Sequence, residues 1–213
     1  GPDGVPDGVI DDYDKTNIGS PMPKFTFGWT NTFRYKNFDL SVFINGSYGN
    51  KVYNYLSMKL THMNSPWTNQ LNAVNGRAQL VPINPNKVYE DGTMWYNDVS
   101  NVMVANPGAS IPRATINDPN DNDRISDRYI EDGSYIRLKN ISLGYTFPKK
   151  TIDKLGLSNL RIYANIQNLL TITGYDGYDP EIGASTSSVN VYGLDNGRYP
   201  SPTVYSFGLN VSF

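Results

Sequence analysis

The closing stretch, T-V-Y-S-F-G-L-N-V-S-F from Thr203 to Phe213, constrains the chain most. Tyr205, Phe207, Leu209, Val211 and Phe213 fall on one parity. Val204, Ser206, Gly208, Asn210 and Ser212 fall on the other. A period of two is that of a strand with one oily face and one small, polar face. About 11 residues rising ~3.3 Å each and tilted ~45° climb roughly 25 Å, close to the apolar band of a membrane-spanning barrel. An amphipathic strand of a soluble sandwich has the same alternation, so the remaining chain must separate the two.

No run approaches the ~18 consecutive apolar residues of a spanning helix, nor does a signal-sequence pattern open the chain. A β-barrel passes the same test, because only alternate residues face lipid and its hydropathy signal is weak. Hydrophobic residues make up only 38% of the 213 residues, yet aromatics reach 13% with 16 Tyr. Tyr suits an apolar-to-polar boundary. With no cysteine there are no disulfides and no thiolate chemistry. A formal charge of -2 without a basic cluster gives no case for nucleic acid.

The opening is dense in carboxylates and glycine. Aligned to a calcium loop, Asp3, Asp7, Asp11 and Asp14 take positions 1, 5, 9 and 12, with Gly8 at the sharp turn and the Val9 carbonyl at position 7. Val5 at position 3, and Asp rather than Glu at position 12, depart from that pattern. Calcium is therefore the one cofactor expected, and a solvated acidic turn is the alternative.

Phe25, Phe27, Trp29, Phe33 and Tyr35 alternate with Thr26, Gly28, Thr30, Thr32 and Arg34, then Asn37 turns the chain into Phe38, Leu40, Val42 and Ile44. The spacing predicts a hairpin over 24–49. Residues 50–132 lack clean alternation and carry N-S-P-W, N-P-N, N-P-G and D-P-N-D-N-D, which is turn chemistry. Val52, Leu56 and Leu60 predict a short helix at the start of that loop. A second hairpin is predicted over 134–171. There the apolar parity slips from Ile136 and Leu138 to Ile141, Leu143, Tyr145 and Phe147, so a bulge is expected near Lys139 and Asn140. The partner strand carries Leu160, Ile162, Ala164 and Ile166, loop 172–202 follows, and 203–213 is the last strand.

Short connections near Asn37 and over 148–158 thus alternate with long loops over 50–132 and 172–202, and 1–23 forms a further loop. In an antiparallel sheet all short turns lie at one end, the asymmetry of outer-membrane barrels. Tyr35, Phe38, Tyr145, Phe147 and Phe213 would then share a periplasmic rim, and Phe25, Tyr48 and Tyr205 an outer one. The fold expected is all-β, an antiparallel transmembrane β-barrel.

The segments D-G-V-I-D-D-Y-D-K-T-N-I-G-S-P-M-P-K-F-T-F-G-W, R-Y-I-E-D-G-S-Y-I-R-L-K-N-I-S-L-G-Y-T-F-P, G-L-S-N-L-R-I-Y-A-N-I-Q-N-L-L-T-I-T-G-Y-D-G-Y-D-P-E and D-N-G-R-Y-P-S-P resemble the carboxy-terminal end of SusC/RagA-type TonB-linked outer-membrane proteins of the Bacteroidota. The resemblance implies that the chain is the last five strands of a barrel of roughly 22 strands. It further implies an outer-membrane importer of oligosaccharides or peptides that works with a SusD-like lid lipoprotein and with TonB through a missing amino-terminal part. The other function weighed is a soluble, secreted, aromatic-rich carbohydrate-binding β-domain.

No catalytic constellation stands out. His62 is the only histidine, without G-x-S-x-G nearby, and the acidic pairs Glu131 and Asp132, and Asp179 and Glu181, are read as solvated or capping rather than as glycosidase acids. Trp67, Trp95, Tyr175 and Tyr178 are candidates to stack on substrate, against the simpler role of packing loops. Tyr205, Phe207, Leu209, Val211 and Phe213 resemble the family's assembly signal, read by the barrel-assembly machinery as an added strand before the barrel meets outer-membrane lipid.

Overall fold

The computed structural model describes residues 1–118, 120–182 and 191–213. In chain order its elements are β1 (Phe25–Tyr35), β2 (Phe38–Tyr48), β3 (Lys51–Asn54), α1 (Tyr55–Thr61), β4 (Leu80–Pro82), β5 (Val102–Val104), β6 (Ile130–Asp132), β7 (Tyr135–Thr146), α2 (Lys149–Ile152), β8 (Asn159–Thr173), β9 (Leu194–Asp195) and β10 (Val204–Ser212). They belong to two compact units: 1–17 with 55–129, and 18–54 with 130–213.

The second unit is built on a five-stranded antiparallel sheet in the order β1-β2-β7-β8-β10. Its register follows the oily parity of each strand. Trp29 pairs with Ile44 and Phe33 with Leu40. Leu40 continues to Leu143, Leu143 to Ala164, and Ala164 to Phe207. One face is therefore a continuous apolar surface, and it is uncovered: Trp29 is 55% exposed, Phe207 83% and Phe213 93%. A contiguous exposed apolar face of this kind marks a surface that meets lipid or another protein. Aromatic rings cluster toward both ends, with Phe25 against Tyr48 at 5.4 Å and Phe38 against Tyr145 at 4.7 Å.

The parity slip in β7 is resolved by a bulge at Lys139: Phe43 faces Asn140 while Ile44 faces Leu138. Lys139 is the inserted residue, and the apolar side chains on either side of it stay on the same face. The β1–β2 turn is Lys36-Asn37, where expected, with Lys36 in the left-handed region (φ 53°). One detail differs from expectation. Val52 lies in β3, buried and facing Glu131, so the helix begins only at Tyr55. Apolar residues at every fourth position, Val52, Leu56 and Leu60, did not distinguish a buried strand residue from a helical face.

Both short connections lie at one end of this sheet. The first is Lys36-Asn37; the second holds α2, with Ile152 buried, and ends where Gly156 takes φ 68°, a conformation glycine adopts at little cost. The chain departs on both long excursions from the opposite end, where Ser47 faces Tyr135 and Tyr135 faces Thr173. There β3 pairs with β6 and, in parallel, with β9. The row through Tyr35, Phe38, Tyr145 and Ile162 meets β10 at Leu209, yet β10 runs on to Ser212. Staggered ends of this kind accompany strands that tilt against a barrel axis.

The other unit has little regular structure: α1, the β4–β5 ribbon and single helical turns. No helix among the described residues is long and apolar enough to cross a membrane, which says nothing of a β-barrel.

Candidate functional site

The polar face of the sheet carries the first charged cluster. Arg137 on β7 is 2% exposed and donates from Nε to Thr171 Oγ1 at 2.8 Å. Its other nitrogens reach Glu181 Oε2 at 2.6 Å and Asp179 Oδ1. Lys139, the bulge residue, reaches the same Glu181 oxygen at 2.8 Å. Asp179 also accepts the amides of Glu181 and Ser201. Burial opposes its charge, but the Ser201 amide, the Arg137 guanidinium and the Glu181 amide outweigh it, holding the carboxyl below the usual range. The loop after β8 is thus fastened to β7 by two carboxylates on one buried guanidinium, whose several donors in a fixed fork suit Arg to such a junction.

A second fastening lies beside it. Tyr175 is buried and donates to Asp195 Oδ2 at 2.5 Å, while Asp195 Oδ1 accepts the Gly197 and Arg198 amides. Burial first, then the Asp195 carboxylate, pushes the Tyr175 hydroxyl well above its ordinary range. Glu131 accepts from Asn54 Nδ2 and from the Asp176 amide.

These contacts reassign several expected residues. Tyr175 is a buried structural hydroxyl rather than a ring open to substrate, whereas Tyr178 and Trp67 are exposed, Trp67 at 92%. Trp95 lies edge-on to Tyr96 at 5.7 Å and lines a cleft of about 590 Å³ with Pro82, Tyr89 and Met94. Nearby, Asp98 accepts Lys87 Nζ at 2.6 Å and the Tyr89 hydroxyl at 2.9 Å. Lys87, then the Ser100 and Tyr89 hydroxyls, hold the Asp98 carboxyl well below the usual range. The pairs Glu131 with Asp132 and Asp179 with Glu181 are occupied by amides and cations: Asp132 accepts the Ser134 amide and lies 3.7 Å from Lys51. His62 Nε2 donates to the Asp118 carboxylate at 2.8 Å in a buried pair.

The carboxylates of the acidic loop accept nearby backbone amides. Asp3 accepts the Val5 amide, Asp7 the Val9 amide, Asp11 the Tyr13 amide and Asp14 the Asp11 amide. Each carboxylate closes its own turn, and Gly8 takes φ 79°. Among the described residues the one group of three metal-type side chains within 4.8 Å is His62, Asp118 and Asp123, not Asp3, Asp7, Asp11 and Asp14.

Of the expected assembly residues, Tyr205, Phe207 and Leu209 are highly exposed on β10, and Phe213 stands beyond its end. β10 pairs through Val211 with Leu160, and its other edge has no partner strand among the described residues. The Arg137 cluster was missed from sequence: Asp179 and Glu181 lie 42 and 44 positions from Arg137, so no local spacing could reveal it.

No family model matches the chain. Among curated proteins it is 36% identical over 211 residues to TonB-dependent receptor P3 of Formosa agariphila, covering 97% of this chain and 18% of that protein. It is 29% identical over 209 residues to TonB-dependent receptor SusC of Bacteroides thetaiotaomicron, covering 97% and 17%. The chain therefore spans about a fifth of the length of these relatives, which are named as receptors rather than enzymes. In fold it is similar to the RagAB peptide importer in its closed-closed state, with TM-score 0.64 and 20% identity over 98% of this chain and 21% of that one. The RagAB peptide transporter gives the same TM-score over 92% of this chain. These likenesses do not favour the soluble carbohydrate-binding reading. With the relatives covering nearly its whole length and the antiparallel sheet in agreement, the chain belongs to the SusC/RagA-type TonB-dependent receptors.

Proposed function

We propose that the chain is the carboxy-terminal part of an outer-membrane importer for oligosaccharides or peptides, energised through TonB and lidded by a SusD-like lipoprotein. The observation that carries this reading is the coverage of 97% of the chain by TonB-dependent receptors, set beside a sheet with one uncovered apolar face. In the proposed barrel of roughly 22 strands, β1 pairs with a preceding strand and β10 with the first strand of the barrel. Both edges are then satisfied, as lipid requires. The apolar face meets lipid, and the Arg137 side forms the inner wall, where the loop after β8 folds back.

The test is to tag the complete protein in its outer membrane, purify it in detergent and identify what accompanies it. Uptake of labelled peptides and oligosaccharides is then compared with and without its gene. Co-purification of a SusD-like lipoprotein and loss of uptake of one substrate class are expected. A protein recovered from the soluble fraction, or uptake unchanged for both classes, would overturn the proposal.

A further inference from the structure

Within the 1–17 and 55–129 unit, His62 follows α1, held by its amide donating to the Met58 carbonyl at 3.0 Å. The ring is buried, as is Asp118. Nε2 of His62 lies 2.8 Å from Oδ2 of Asp118. The Asn122 amide and side chain brace the Asp118 carboxylate at 2.6 and 2.5 Å.

A third group completes the set. A carboxylate oxygen of half-buried Asp123 lies within 4.8 Å of both the His62 and Asp118 ligand atoms. Asp123 takes no hydrogen bond or ion pair from any described residue. The adjacent cation does not neutralise it: Arg124 donates to the carbonyls of Asp121, Asn120 and Ile10. Two carboxylate oxygens and one imidazole nitrogen therefore lie within 4.8 Å of one another, the second carboxylate without a partner among the described residues, as a bound cation would use them.

We propose that His62, Asp118 and Asp123 bind a first-row divalent cation of the zinc type. One imidazole nitrogen and two carboxylate oxygens make a three-ligand set with a fourth position left to water. Zinc bonds of ~2.0–2.2 Å fit a group this compact after small side-chain rotations. Calcium takes six to eight oxygens and gains nothing from an imidazole, so the site differs in kind from a calcium loop. Asp118 is the pre-set ligand, because Asn122 fixes its orientation, and Asp123 is the ligand free to move onto the metal.

The test uses the complete receptor in detergent, purified without a histidine tag and stripped with a chelator, then titrated calorimetrically with zinc chloride. The wild type should bind one more equivalent than Asp123→Asn or His62→Gln, or bind at least tenfold more tightly. Cobalt should give a tetrahedral visible spectrum that both variants lose. Asp121→Asn, a neighbouring exposed carboxylate, should behave as wild type. Asp123 makes no contact that folding depends on, so its variant remains informative if His62→Gln misfolds. Equal zinc binding by wild type and Asp123→Asn would overturn the proposal. So would a zinc response equally sensitive to Asp121→Asn. Loss of thermal stability in His62→Gln without any change in zinc uptake would also overturn it, leaving His62 and Asp118 a structural ion pair.

Discussion

Arg161 on β8 reaches across the intervening strand to Asp39 on β2, with Nη2 to Oδ2 at 2.6 Å and Nε to Oδ1 at 3.1 Å. The strand crossed is β7, and the residue beneath the bridge is Gly144, which faces Asp39 on one side and Tyr163 on the other. A Cβ there would fall on the Arg161 guanidinium and the Asp39 carboxylate. One missing side chain thus allows three strands to be tied together.

Gly144→Val should therefore break the bridge by filling its path. Folded, heat-modifiable protein in the outer membrane should fall several-fold in the complete receptor, whereas Ser142→Val, one polar-face step along the same strand, should be tolerated better. Semi-native gel electrophoresis of membrane fractions checks this.

Arg137→Met removes a buried cation from two carboxylates and leaves Asp179 buried without it. Breaking one partner of such a pair costs about 3–5 kcal/mol. The loop after β8 should then be cut faster by protease, while Arg137→Met combined with Asp179→Leu should recover part of the protection. A cleavage time course on the three proteins measures the difference.

The same fastening sets a pH dependence. The Asp179 carboxyl titrates below the usual range in the folded protein, so its contribution is fully present above its unfolded value near ~3.9. It is lost as pH falls through the lower folded value. Hydrogen exchange in 174–182 should accordingly stay slow from pH 7 to about 5 and quicken only below about 4; quickening near pH 6 would point to another group.

Deleting Phe213 should lower the outer-membrane level of the complete protein. It is exposed beyond the end of β10, on the strand proposed to be read during assembly. An unchanged amount of heat-modifiable protein would count against that role.

Tyr175→Phe removes the donor to Asp195 from a buried site, a loss of about 1–3 kcal/mol. The nearby exposed Tyr178→Phe should have no effect on stability. Thermal unfolding of both variants separates the buried hydroxyl from the exposed ring.

The alternation of oily and polar residues by itself determined β1, β2, β7, β8 and β10, and the parity slip determined the bulge at Lys139. Side chains of one strand leave its two faces in strict turn, so burial preference is written directly into neighbouring letters. Loop length likewise placed the short connections at one end of the sheet. Tertiary structure alone decided what the polar face does. Arg137 meets Asp179 and Glu181, Arg161 meets Asp39, and His62 meets Asp118 and Asp123 across separations that no periodicity spans. It also decided that Tyr175 is buried while Tyr178 is exposed, although both sit in one G-Y-D-G-Y-D-P-E run. Composition assigns tyrosine to boundaries, but only the path of the loop selects which ring turns inward, where its hydroxyl must find a partner such as Asp195.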